Sequence, residues 1–171
     1  GRFDYFASAD LVVFLFDPFE VPQVRHALDE ILPAAPLVGA NPAMVFTNLL
    51  GHIGQGSPHV AMVVSKFDVL HELSGMSATV AAPFQNPGAG YMRSRQREFQ
   101  YDERTGALIS EEVRSLLAML SAQDLVNLAE HPPNMQPMQT RFFAMSALGA
   151  ATDGTELHAH GKSPFRILDP V

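Results

Sequence analysis

Ser65-Lys66-Phe67-Asp68 follows directly on the apolar run Val60-Ala61-Met62-Val63-Val64. A short run rich in β-branched residues and bounded by turn signals predicts a strand buried on both faces, as in parallel sheets. Open α/β sheets bind ligands at the carboxyl ends of their strands. A lysine and an aspartate two residues apart at such an end are placed to act on a ligand. Two other apolar runs end in turn-like segments. Leu11-Val12-Val13-Phe14-Leu15-Phe16 ends at Asp17-Pro18, and Thr140-Arg141-Phe142-Phe143-Ala144-Met145 ends at Ser146-Ala147-Leu148-Gly149. In a parallel sheet these three ends share one edge, which can assemble a site from residues distant in sequence. Asp17 is read as a strand-terminating turn residue, not as a ligand. His158 and His160 have metal-like spacing on an extended chain. With no cysteine and no firm third ligand, they are read as part of a solvated loop. No Gly-x-Ser-x-Gly nucleophile turn occurs.

The elements that must position these residues follow from periodicity and caps. Pro22 suits a first helical turn, and Val21, Val24, Leu28, Ile31 and Leu32 recur at helical spacing up to Pro33. Asn41-Pro42 has N-cap and N1 form, and Met44, Phe46, Leu49, Leu50 and Ile53 mark a second amphipathic helix ended by Gly54, Gly56 and Pro58. Strand, helix, helix and strand in this order predict the crossover that parallel strands require. The fold class expected is therefore α/β, a mostly parallel sheet flanked by helices. Ser110 is the expected N-cap of a later helix, with Glu111 and Glu112 in its first turn and Val113, Leu116, Leu117 and Leu120 on its buried stripe. Ser121-Ala122-Gln123-Asp124 has capping-box form and predicts a short helix to about Ala129. Met44, Met62, Met119 and Met145 fall in these elements and are expected to fill the core. Phe3, Tyr5 and Phe6 are compatible with the end of a helix that begins outside the sequence.

Residues 74–107 break the pattern with Gly75, Pro83, Pro87, Gly88, Gly90 and Gly106, and Arg93, Arg95, Arg97 and Arg104 form a local basic cluster. The favoured expectation is a flexible insertion with a solvated charge run. The sharper one is a loop that docks a protein partner or approaches a phosphate.

Taken together, about residues 3–149 resemble the guanine-recognition half of a P-loop GTPase. The motifs are an apolar strand ending Ser65-Lys66-Phe67-Asp68 and a later one ending Ser146-Ala147-Leu148-Gly149, against the family's Asn/Thr-Lys-x-Asp and Ser-Ala-Lys/Leu. Upstream, Ser8-Ala9-Asp10 and Val13-Phe14-Leu15-Phe16-Asp17 resemble the strand that precedes them. The likeness is to the translation-factor-related class, particularly bacterial double-GTPase-type proteins. It implies an incomplete P-loop NTPase-like fold that binds GTP or GDP through Ser65, Lys66, Asp68, Ser146, Ala147 and Leu148. The Asp68 carboxylate would accept two hydrogen bonds from guanine, a pairing adenine cannot offer. The Lys66 stem would lie on the base, and the Ala147 N–H would meet the guanine oxygen. Ser65 stands where the family has Asn or Thr. No Gly-x-x-x-x-Gly-Lys-Ser/Thr occurs. Gly161-Lys162-Ser163 imitates only its end, with Glu156 in place of the first glycine, and Asp-x-x-Gly is also absent. The phosphate loop and the Mg2+ site would then lie before Gly1, and magnesium-dependent GTP hydrolysis would need that portion. The alternative is a catalytically inactive α/β scaffold or protein-interaction domain derived from a GTPase.

Bulk composition sets the outer limits. The 171 residues are about one domain's worth, 47% hydrophobic and 17% charged, and are expected to form a single α/β unit over 1–171. A formal charge of -7 argues against nucleic acid or an anionic membrane as the main partner. The absence of cysteine excludes disulfides and thiolate metal sites. No apolar run reaches the roughly 20 residues of a membrane span, and no signal peptide is seen, so a cytoplasmic location is expected.

Overall fold

The computed structural model describes residues 4–27, 39–72 and 103–147. Three strands form its sheet: β1, Leu11–Phe16; β2, His59–Val64; and β3, Thr140–Ala144. They lie in the order β1-β2-β3 and are all parallel. The fold is thus α/β, a parallel sheet with flanking helices, as the alternation of apolar runs and helical periods leads one to expect. Val64 is in register with both Phe16 and Ala144, so the three strands end level with one another.

The helices are α1, Pro22–Ala27; α2, Pro42–Ile53; α3, Phe67–Glu72; α4, Glu103–Met119; and α5, Gln123–Glu130. Short 3-10 turns precede β1, at Asp4–Ser8, and follow it, at Pro18–Glu20. At α2 the Asn41 side chain accepts from the Ala43 N–H at 2.9 Å, satisfying a donor that a helix start leaves open. Gly54 ends the helix at φ 60°, a left-handed conformation that glycine adopts without a Cβ clash.

One face of the sheet, built by Val12 and Phe16, Val60, Met62 and Val64, and Phe142 and Ala144, carries the main core. Phe46, Leu50 and Ile53 of α2 pack there with Val113, Leu116 and Leu117 of α4 and Leu125, Val126 and Ala129 of α5. Each valine, leucine, isoleucine, methionine and phenylalanine among them contributes about 1.5–3 kcal/mol by leaving water. The opposite face holds a small cluster of Ala61, Val63 and Phe143 with half-buried Met145.

Several local expectations are corrected. Ser110 caps nothing: α4 begins seven residues earlier at Glu103. Ser110 lies buried in mid-helix, and its hydroxyl accepts the Phe142 N–H of β3 at 2.9 Å. Ser121 forms no capping box. It takes φ 63° in the turn between α4 and α5, and Ala122 stands at the N-cap without a side-chain hydrogen bond. Met62 is core, but Met44 and Met119 are exposed because their helical positions turn outward. Of the insertion expected at 74–107, residues 103–107 belong to α4, and the rest lie outside the described residues. So do Leu148, His158, His160, Gly161-Lys162-Ser163 and the helix expected beyond Ala27. Among the described residues no helix is long and apolar enough to cross a membrane.

Candidate functional site

Because the strands end level, the segments that leave them meet along one edge. After β1, the Asp17 side chain accepts from the Phe19 N–H at 2.9 Å and caps the Pro18–Glu20 turn. After β2, the Ser65 N–H and hydroxyl both donate to the Phe16 carbonyl, at 2.9 and 2.8 Å. Beside β3, the Met145 N–H donates to Val64 O at 2.9 Å, and the Phe67 N–H donates to Met145 O at 3.2 Å. The ends of all three strands are therefore stitched together by short bonds through Ser65 and Phe67.

Lys66 is the pivot of the central turn. Its φ of 52° lies in the left-handed region, which turns the chain sharply between β2 and α3. The Lys66 ammonium meets Asp17 Oδ2 at 2.6 Å, and the two side chains are 60% and 21% exposed. Asp17 thus does two things, capping a turn and holding the cation of the neighbouring strand end. Phe67 enters the core, while Asp68 is half-buried in the first turn of α3, where helix geometry favours a carboxylate. On the β3 side Ser146 is buried and Ala147 is exposed.

Tertiary structure brings together Ser65, Lys66, Asp68, Ser146 and Ala147, as parallel pairing requires, and leaves Leu148 outside the described residues. Ser65 and Lys66 are both tied to β1 and the turn that follows it. The Ser65 hydroxyl bonds to the Phe16 carbonyl and the Lys66 ammonium to Asp17. Sequence reasoning took Asp17 for a turn residue, which its bond to the Phe19 N–H makes it, but did not foresee its pairing with Lys66, and it gave Phe67 no role. An aspartate before proline at a strand end is itself a capping signal, and a lone aromatic in a polar turn is a candidate anchor.

No protein family's profile matches the chain, and no solved structure matches it. The chain is similar to a Mycolicibacterium smegmatis protein named "Putative ESX-1 scaffolding and assembly protein SaeC", with 41% identity over 170 residues. The match takes in 99% of this chain, which spans 44% of the length of that relative.

This similarity overturns the GTPase resemblance and, with it, the guanine-nucleotide-binding function. A relative matched across nearly the whole chain is named for scaffolding and assembly, not for nucleotide hydrolysis. The likeness rested on two tetrapeptides at strand ends. Any buried parallel strand must leave the sheet through a polar turn, so a Lys/Asp turn and a Ser-Ala turn arise there for structural reasons. The expected GTP, GDP and Mg2+ had no other support. The scaffold or interaction domain, given above as the alternative, is the reading that the relative favours.

Proposed function

We propose that this chain is an α/β scaffold domain that contributes to protein assembly of the ESX-1 kind. The observation that carries the proposal is the 41% identity, spread over 170 residues, with a protein named for ESX-1 scaffolding and assembly. Identity at this level over 170 residues implies a shared core. The strand-end edge is consistent with this role. Ser65, Lys66 and Asp17 hold the sheet's termini in place. The acidic balance, -7 at neutral pH, suits neutral or basic protein partners better than a polyanion. Within the segment 74–107 the cluster Arg93, Arg95 and Arg97 stands beside Glu98, Asp102 and Glu103, and we assign partner contact to it.

The test is a chimera in which this chain replaces the matching region of SaeC in Mycolicibacterium smegmatis, with chimera abundance measured in parallel. A scaffold of the same kind maintains ESX-1 assembly in that strain. A chimera that accumulates normally but leaves assembly at the level of a SaeC deletion sinks the proposal.

A further inference from the structure

β1 is an edge strand of the described sheet, yet Leu-Val-Val-Phe-Leu-Phe contains none of the lysines or prolines with which natural edges commonly refuse pairing. The carbonyls of Asp10 and Phe16 accept from the N–H groups of His59 and Ser65, both at 2.9 Å. Even-numbered residues therefore direct their backbone at β2, and Leu11, Val13 and Leu15 direct theirs at the open edge. Their side chains are 47%, 52% and 57% exposed, on the face that carries Ala61, Val63 and Phe143.

The helix layer on the other face shows the same feature on the same side. α4 packs on β3, α5 touches α4 and α2, and α2 reaches β1, where the Phe46 and Phe14 rings lie 4.9 Å apart. Of these three helices, α2 thus stands over the open strand. Its twelve residues include no Asp, Glu, Lys or Arg, although Met44, Val45, Thr47, Asn48 and Gly51 are exposed. A helix that faces water ordinarily carries charge on its outer side. α4 and α5 do, with Glu111 and Asp124 among their exposed residues. An unguarded strand edge beside an uncharged helix is the pattern of an interior position in a wider α/β sheet.

We propose that this flank is covered by a further strand–helix unit of a longer polypeptide, its strand parallel to β1 and its helix beside α2. Three observations select that occupant. Both described pairings are parallel, and all-parallel sheets have helices on their faces. A parallel neighbour joins a sheet through a crossover of about a dozen residues or more, usually a helix, so strand and helix arrive together and serve both layers. The chain spans 44% of the length of its relative, so a polypeptide of that kind has more than half of its residues outside the match. A second copy fits less well, because a formal charge of -7 on each opposes their approach. A lone peptide strand would fill the edge and leave α2 bare. The inference rests on the similarity to the relative and not on the ESX-1 role.

Hydrogen exchange at single amides tests it, in the chain alone and in the chain set in place of its match within SaeC. In the chain alone the N–H groups of Val13 and Leu15 should exchange fast at every concentration, while that of Phe14, directed at β2, is slow. Within SaeC the first two should slow by on the order of a hundredfold, as amides do on entering a ladder. Val13→Pro removes an open N–H without touching a bond to β2. It should lower the melting temperature of the chimera by roughly 5 °C or more and that of the chain far less. Met44→Glu should show the same contrast for the helix layer. Unmodified SaeC, read at the positions aligned with Val13 and Leu15, gives the exchange result free of any misfolding at the chimera's joins. Equally fast exchange in both settings would overturn the proposal. So would slow exchange in the chain alone, whether constant, as closure within the 171 residues predicts, or rising with concentration, as a second copy predicts. These readings stand whether or not the chimera restores ESX-1 assembly, so failure of the scaffold role is told apart from failure of this pairing.

Discussion

Ser110 occupies mid-helix, where serine has no intrinsic advantage over alanine. Its hydroxyl is there for β3, whose Phe142 N–H points away from β2 and would otherwise be buried without a partner. Ser110→Ala should cost about 1–3 kcal/mol, because it strands a buried donor, and should speed hydrogen exchange at the Phe142 amide. A loss near zero with unchanged exchange would show that this bond is dispensable. Lys66 and Asp17 differ in weight although they form one pair. Lys66→Met removes a largely exposed ion pair and should cost less than about 1 kcal/mol. Asp17→Ala also removes the acceptor for the Phe19 N–H, which should raise the cost to about 1–2 kcal/mol in denaturant titration. Equal losses in the two variants would mean that the cap contributes nothing.

The helices show how elements are held to one another. Gly56, just past α2, has no room for a side chain: a Cβ there would stand 2.7 Å from the Ala7 carbonyl oxygen. Gly56→Ala should therefore shift the backbone and cost more than about 1 kcal/mol, as overpacking does. The Gly51→Ala control has open space at the Cβ and a helical position, and should be neutral or mildly stabilising. Between α4 and α5, Arg114 donates to both carboxylate oxygens of Glu130, at 2.5 and 2.9 Å. The hydrogen bonds from Arg114 hold the Glu130 carboxyl below its usual 4.5, against the opposing effect of burial. A carboxyl whose folded value is lowered contributes stability that is full above the unfolded value and is lost as pH falls through the folded one. Glu130→Gln should therefore be less stable than the parent chain at neutral pH, by on the order of 1 kcal/mol for a half-exposed bidentate pair. The gap in melting temperature should close on acidification below the ordinary carboxylate range. A gap that is constant from neutral to acid pH would show that the pair's charge is not the source.

At the scale of the molecule, stability resides in the sheet face that meets α2, α4 and α5. Met62, fully buried at the centre of the middle strand, is its natural probe. Met62→Ala should cost about 2–5 kcal/mol in denaturant titration, the range for a large core residue that leaves a cavity. An equally apolar residue at the open edge, Leu15, should cost the isolated chain little on truncation, since it is already 57% exposed. That contrast separates residues the fold needs from residues free to meet a partner. It also bears on function, because a scaffold requires a rigid body and surfaces that are not consumed in making it.

The sequence alone was enough for the α/β class, the three parallel strands and the capped start of α2. These depend on local periodicity and on side chains that bond within two residues of themselves, as Asn41 does with Ala43. It did not place the start of α4. Glu103–Gly106 read as part of a loop because Gly106 is a poor helix former, and burial of the helix overrode that preference. Nor could it say how the strand-end residues are used. Ser65, Lys66 and Asp68 have the composition of a binding turn. Only the level register of β1, β2 and β3 brings Asp17 to Lys66 and the Phe16 carbonyl to Ser65. The partners are 49 positions apart in each case, a separation across which sequence spacing carries no contact information and tertiary pairing decides.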